Sequence, residues 1–114
     1  MQDKEPWYSV KCIFRHDHLS QKAEEHCYEE RVVVLKAVSL DHAIELGEAE
    51  ARAYAGDEGT SHYIEFISAY HLYKPEIAPG AEVFSIMRRS NLNKDAFLDR
   101  YYDDGTECAQ RSES

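Results

Sequence analysis

One amphipathic helix, flanked on each side by strand-like segments, constrains the fold of this chain most. Ser39 can start the helix because its hydroxyl accepts hydrogen bonds from the free amides of the first turn, and Asp41 suits the helix dipole. Apolar residues recur at spacings of three and four and form one stripe: Leu40, Ala43, Ile44, Gly47, Ala51 and Tyr54. Gly56 follows, where helices commonly end. The sequence therefore predicts a helix over Ser39–Ala55 that packs by one face.

Two strands are predicted before this helix. Trp7 to Arg15 is rich in aromatic and β-branched residues that alternate with mostly polar neighbours, the period of a half-buried strand. Cys27 to Val38 forms the second strand, and its apolar run from Val32 to Leu35 favours cover on both faces. The polar stretch from His16 to His26 is interpreted as an exposed connection.

Two more strands and a short helix are predicted after the main helix. His62 to Tyr73 and Glu82 to Arg89 have strand patterns, with Pro75 and the Pro79–Gly80 pair in the turn between them. Asn91 or Asn93 can cap a short C-terminal helix. The order β-β-α-β-β-α predicts an α+β fold, in which a four-stranded antiparallel sheet carries the main helix on one face.

The length of 114 residues predicts a single domain, 1–114, with an ordered core over about 6–102 and a polar tail over 103–114. Apolar residues occupy both faces of the predicted strands, yet one helix covers only one face of a sheet. The second face requires the C-terminal helix, another subunit or a ligand as its cover, and the sequence leaves these alternatives open.

The charge of the chain excludes one class of partner. Its net charge is −9, from 13 basic against 22 acidic residues, and the basic residues are scattered. Nucleic-acid binders neutralise phosphates with clustered Lys and Arg, so we expect no nucleic-acid partner. An acidic surface instead favours basic proteins as partners.

The sequence also predicts a cytoplasmic protein. Met1 leads directly into polar residues, which is not the pattern of a signal peptide, and the run from Val32 to Leu35 is too short to span a bilayer. Cys12, Cys27 and Cys108 are odd in number, far apart and without a CxxC pair. They do not form a disulfide framework, so we expect reduced thiols. Because the apolar run is too short to span a bilayer, we also expect no membrane contact.

Several short motifs resemble those of a known bacterial family. They are Trp7–Lys11, Tyr28–Val34, the Lys36–Ser39 segment followed by Asp41–Ile44, and Gly80–Ser85. Together they resemble the family called domain of unknown function 4288 (DUF4288), over about Trp7 to Arg88. The resemblance implies a compact α+β fold and a bacterial source, and it supplies no catalytic residues.

No motif in the sequence predicts catalysis or a cofactor. The pair His16 and His18 could bind a metal if both lie on one side of a strand, but no second ligand pair has recognisable spacing. A nucleophile elbow, a Walker loop, a dinucleotide fingerprint and an HExxH motif are all absent from the sequence. We therefore expect a protein that is not an enzyme and that holds neither cofactor nor metal.

These observations favour a non-catalytic protein-interaction module, and a small immunity protein that neutralises a basic toxin is the concrete form. The candidate partner-binding residues are paired acids and strand tyrosines: Glu24, Glu25, Glu29, Glu30, Tyr63 and Tyr73. Two alternatives stay open. One is a small-ligand-binding or homodimerising domain that uses the second sheet face, and the other is an enzyme with an unrecognised site.

Overall fold

The computed structural model describes residues 5–20, 22–73 and 76–102. Its elements follow in this order: β1 (Trp7–His16), a 3-10 turn (Asp17–Leu19), β2 (Tyr28–Lys36), α1 (Leu40–Ala55), β3 (Ser61–Leu72) and α2 (Lys94–Tyr101). The α+β class, the first three predicted strands and both predicted helices are confirmed, whereas the fourth predicted strand is not formed.

The three strands form one antiparallel sheet in the order β2-β1-β3, so β1 is central. The register between β1 and β2 is unbroken from Trp7, opposite Lys36, to Arg15, opposite Tyr28. The register between β1 and β3 is interrupted by a bulge between Cys12 and Phe14. Glu65 lies at this bulge in the left-handed region, with a φ of 66°.

The main core lies between α1 and one face of the sheet. Val10 and Phe14 of β1 are fully buried there, with Ala51 of α1 against them. A Cβ atom on Gly47 would lie 2.6 Å from Val10 Cγ1, so the missing side chain allows α1 to lie close to β1. Small residues on the inner stripe of α1 therefore set how near the helix approaches the sheet.

Local chemistry explains where the helices begin and end. Ser39 Oγ accepts a hydrogen bond of 3.1 Å from the backbone N–H of His42, as predicted for the start of α1. Gly56 ends α1 with a φ of 74°, a conformation that favours glycine. Asn93, rather than Asn91, caps α2, and its Oδ1 accepts from the N–H of Ala96 at 2.9 Å.

The predicted fourth strand, Glu82 to Arg89, is wrong. This segment has no regular secondary structure, and its residue Phe84 lies on the sheet face that α1 does not cover. The ring centroid of Phe84 lies 6.2 Å from that of Tyr70, and Lys11 Nζ lies 5.4 Å from the Phe84 centroid. Alternating apolar residues require only that one side of an extended segment faces an apolar surface, and here a sheet face meets that requirement.

Cys12 is a buried free thiol, and Cys27 is also buried. Cys108 and the polar tail predicted from Asp103 lie outside the described residues. None of the helices in the described part of the chain has the length and apolar character needed to cross a membrane.

Candidate functional site

A polar network on the α1 side of the sheet joins β1, β2, β3 and the helix. His16 Nε2 lies 2.7 Å from Glu29 Oε1, and His16 Nδ1 lies 2.8 Å from Ser61 Oγ. The Tyr54 hydroxyl donates to the same oxygen of Glu29 at 2.8 Å. Because a carboxylate only accepts, Nε2 is the donor toward Glu29, and in the neutral imidazole Nδ1 is then the acceptor for the Ser61 hydroxyl.

A charged pair extends this network along α1. Arg31 donates from both terminal nitrogens to the two oxygens of Glu50, each at 2.8 Å. Its guanidinium carbon lies 3.7 Å from the ring centroid of Tyr54. The bonds to Glu50 raise the pKa of Arg31, and burial together with the bond to Glu29 raises the pKa of Tyr54.

A third cluster of side chains, between α1 and the sheet, consists of Cys12, Tyr63 and Glu48 and favours the neutral forms of the thiol and the phenol. The Tyr63 hydroxyl donates to Glu48 Oε2 at 3.1 Å. Burial, and then this hydrogen bond, raise the pKa of Tyr63 well above its usual value, and burial raises the pKa of Cys12. A buried thiol with a raised pKa is a poor nucleophile.

Ser61, His16 and Glu29 are the residue types of a catalytic triad, which consists of a nucleophile, a base and an acid that orients the base. In the serine protease triad, however, Nε2 of the histidine faces the serine and Nδ1 faces the acid. The ring of His16 is reversed with respect to that arrangement, and Glu29 also binds Tyr54. The network connects the strand ends to α1, so its chemistry is primarily that of a structural hydrogen-bond cluster.

The histidines named as metal candidates do not converge. His16 points toward Ser61 and Glu29, and its ring centroid lies 5.8 Å from that of His18. Asp17 instead accepts from His62 Nε2 at 2.8 Å, and this bond is the main cause of the lowered pKa of Asp17. Within residues 5–20, 22–73 and 76–102, no three His, Cys, Asp or Glu side chains are placed to bind a metal ion.

The sheet face opposite α1 carries exposed apolar side chains, which we name the open sheet face. Its members are Val32 at 42%, Val34 at 41%, Ile64 at 40% and Phe66 at 54% exposure. Val32 and Val34 alternate with Val33, which packs against the core, and Ile64 and Phe66 lie on either side of the bulge at Glu65. Phe84 covers a different part of this face, next to Tyr70.

Charged side chains of both signs surround the open sheet face. Lys11 Nζ lies 2.6 Å from Glu30, whose side chain stays 63% exposed. Arg15 is likewise bound to Asp17 at 2.9 Å. Tyr70 donates a hydrogen bond to Glu82, which raises the pKa of the tyrosine. Lys11 and Arg15 are therefore each paired with an acid, Lys36 Nζ lies 5.2 Å from the ring centroid of Trp7, and Glu65 is a further exposed acid at the rim.

The six side chains predicted to bind a partner do not lie on one surface. Glu24 and Glu25 are exposed before β2. Glu29 and Glu30 project from opposite faces of β2, because consecutive strand residues alternate: Glu29 binds His16 and Tyr54, and Glu30 binds Lys11.

The two predicted tyrosines are also apart. Tyr63 lies between α1 and the sheet, where its hydroxyl binds Glu48. Tyr73 is 80% exposed just after β3, with its ring centroid 4.5 Å from that of His71. The residues that sequence reasoning missed are Val32, Val34 and Phe66, whose exposure follows from the position of β2 and β3 at the two edges of a three-stranded sheet.

A family model matches residues 7–85, from the start of β1 to the residue after Phe84. The model is described as a domain of unknown function (DUF4288), and it covers more than half of the chain. The chain belongs to the DUF4288 family. The DUF4288 match contains the three strands, α1 and the segment that reaches Phe84, and it ends before α2. No curated protein and no solved structure shows a significant match.

Proposed function

We propose that this DUF4288 protein is a non-catalytic protein-binding module of the cytoplasm that contacts its partner through the open sheet face. One observation carries the proposal: four large apolar side chains on this face are each 40% exposed or more, although a core on the other side of the same sheet is fully formed. Apolar side chains grouped on a rigid surface mark binding sites, whereas scattered ones need no explanation.

The partner that fits this face is a basic protein. The net charge of the chain is −9, Glu65 is an exposed acid between Ile64 and Phe66, and Lys11 and Arg15 are each paired with an acid. Such a rim accelerates association with a positively charged surface and disfavours acidic partners. An immunity protein that neutralises a basic toxin has these properties and is the form that we propose.

The test compares binding by two matched variants. Replacing Phe66 with Ser removes an exposed ring from the open sheet face, and replacing Leu46 with Ser removes an exposed apolar side chain from α1. We expect Leu46→Ser to retain the partner that crosslinks to the wild-type protein and Phe66→Ser to lose it. The circular dichroism spectra of both variants should match that of the wild type, which shows that both are folded.

Equal recovery by the two variants would contradict the use of this face. A crosslink map with contacts only on α1 would contradict it as well. The contribution of the acidic charges is measured separately, by the association rate at increasing ionic strength. If these charges attract a basic partner, the association rate should fall as salt is raised.

A second candidate function, hydrolysis at Ser61, is favoured by the alignment of Ser61, His16 and Glu29. We rank it below binding because the His16 ring is reversed and Glu29 is shared with Tyr54. A fluorophosphonate probe discriminates between them: attack by Ser61 Oγ on phosphorus expels fluoride and transfers the hydroxyl proton to His16 Nδ1. Labelling of the wild type but not of Ser61→Ala would support hydrolysis, and no labelling would exclude such a nucleophile.

A further inference from the structure

We propose that two copies of this chain pair through the outer edges of their β2 strands, which joins two three-stranded sheets into one continuous antiparallel sheet. β2 is an edge strand whose ladder partner is β1. It has no proline, and its register with β1 is unbroken over its whole length. A long regular edge of this kind is a template for pairing with another strand.

The hydrogen bonds at both ends of β2 show which backbone groups face outward. Cys27 O accepts from His16 N at 2.8 Å, and Ala37 N donates to Pro6 O at 3.2 Å, so odd-numbered positions bond toward β1. Because these groups alternate along a strand, the even-numbered positions direct their N–H and C=O groups away from β1. These positions run along the outer edge of the sheet: Tyr28, Glu30, Val32, Val34 and Lys36.

The other edge of the sheet is protected and β2 is not. β3 carries a bulge opposite Ile13, with the acidic residue Glu65 in the left-handed region near the centre of the strand. Bulges and charges of this kind discourage strand addition. At the centre of β2 lie Val32 and Val34, both exposed. The difference between the two edges selects β2 as the pairing strand.

The charges on β2 select a second copy of the same chain as its partner. An antiparallel pairing that is symmetric about Val33 places Glu30 opposite Lys36 of the partner subunit, and it does so twice. The same register places Val32 opposite Val34 of the partner subunit. Symmetry about Val32 would put Glu30 opposite Val34 instead, and symmetry about Arg31 would put two guanidinium groups opposite each other. The strand is therefore self-complementary in one register.

Among the described residues, α1 and the segment with Phe84 both pack away from β2. The helix α1 packs mainly over β1 and β3 and has little contact with β2. The pairing goes beyond the proposed binding function, but it would bring Val32 and Val34 of both copies to the middle of one enlarged sheet face. The segment with Phe84 packs on Tyr70 of β3, at the far side of the sheet from the new contact.

Charge reversals on β2 test the pairing and its register together. Lys36→Glu places two acids opposite each other at both ends, and Glu30→Lys places two bases there. We expect the wild type to sediment at twice the 13.2 kDa mass of the chain. Each single variant should raise the dimer dissociation constant by at least about tenfold, since like charges directly opposite destabilise paired strands.

Mixing the two single variants restores both opposite-charge pairs, and native mass spectrometry should then detect the heterodimer. This rescue separates contact between chains from the loss of the Lys11–Glu30 pair within one chain, which mixing cannot restore. Lys94→Glu on α2 is the matched control for Lys36→Glu, because it makes the net charge more negative by the same amount and lies outside β2. We expect the control to dimerise like the wild type.

Amide hydrogen exchange gives an independent readout of the register. In the dimer, the amides of Val32 and Val34 should exchange slowly, and dilution should speed their exchange while leaving that of Val33 unchanged. A wild-type protein that remains monomeric at its highest soluble concentration would overturn the proposal. A dimer that is insensitive to both reversals, or one in which Val32 and Val34 exchange freely, would overturn it equally.

Discussion

The guanidinium of Arg31 in β2 donates two hydrogen bonds, each 2.8 Å long, to the carboxylate of Glu50 in α1. The bond spans two elements that otherwise have little contact, because α1 packs chiefly on β1 and β3. The same guanidinium lies over the ring of Tyr54, and the Tyr54 hydroxyl in turn binds Glu29. Arg31 thus connects an outer strand to the helix through both its charge and its planar shape.

We expect a double-mutant cycle on Arg31→Ala and Glu50→Ala to show a coupling free energy of about 1 kcal/mol, measured by urea unfolding. The estimate is modest because the Glu50 side chain is 39% exposed and water screens the pair. Arg31→Lys should recover little of the coupling, since an ammonium group cannot form the paired bonds. A coupling near zero would show that the contact contributes nothing to the free energy of unfolding.

Two serines of the sheet should respond to the same substitution in opposite ways. Ser61 Oγ is bonded to His16, whereas Ser9 Oγ is buried without a hydrogen-bond partner among the described residues. Ser61→Ala leaves a buried ring nitrogen unsatisfied and should lower the free energy of unfolding by about 1 kcal/mol. Ser9→Ala removes an unsatisfied hydroxyl and should leave stability unchanged or raised. Comparable losses at both positions by chemical denaturation would refute this distinction.

Gly47 lies at the closest approach of α1 to the sheet. In a solvent-exposed helix, Gly→Ala stabilises by about 1 kcal/mol. Here the added Cβ would lie 2.6 Å from Val10 Cγ1 and 3.1 Å from Ile67 Cδ1. We therefore expect Gly47→Ala to destabilise by about 1–3 kcal/mol, as overpacked cores do.

Shortening the opposing side chain provides the control for this clash. Val10→Ala should cost less in the Gly47→Ala background than in the wild type, because the new methyl group occupies part of the space that the valine leaves. Equal costs in the two backgrounds, measured by thermal or urea unfolding, would show that the two side chains do not compete for the same space.

The elements governed by neighbouring residues were predictable from the sequence. Ser39 and Gly56 mark the ends of α1 by local hydrogen bonding and a left-handed φ, and these signals do not depend on the rest of the fold. The segment around Phe84 was not predictable in the same way. Its alternating pattern fits a strand, but the bulge at Glu65 interrupts the neighbouring edge, and the segment packs across a sheet face instead.

The candidate site residues also differ in whether the local sequence or only the tertiary fold determines their position. Strand alternation alone indicates that Glu29 and Glu30 point to opposite faces, so their separation could have been predicted. The contact of His16 with Ser61 could not, because it joins residues 45 positions apart through the pairing of β1 with β3. The exposure of Val32 likewise depends on β2 being an outer strand, which its apolar sequence does not indicate.

Alkaline pH should destabilise the fold through a thiol and two phenols at the contact between α1 and the sheet. The pKa values of Cys12, Tyr54 and Tyr63 are all raised, chiefly by burial. In the unfolded chain these groups ionise near their ordinary values of about 8.5 for cysteine and 10 for tyrosine, while in the folded protein they keep their protons. Between the two values the folded state binds more protons, so the free energy of unfolding falls as pH rises.

We expect this free energy to be steady from neutral pH to about pH 8, and to decline first as the cysteine titrates and more steeply near pH 10. Tyr63→Phe removes one such group, so its stability should be lower at neutral pH, where the bond to Glu48 is lost, but should decline less steeply above pH 9. Urea unfolding at a series of pH values measures both slopes. Parallel curves for the variant and the wild type would show that the Tyr63 phenol ionises equally well in the folded and unfolded chains.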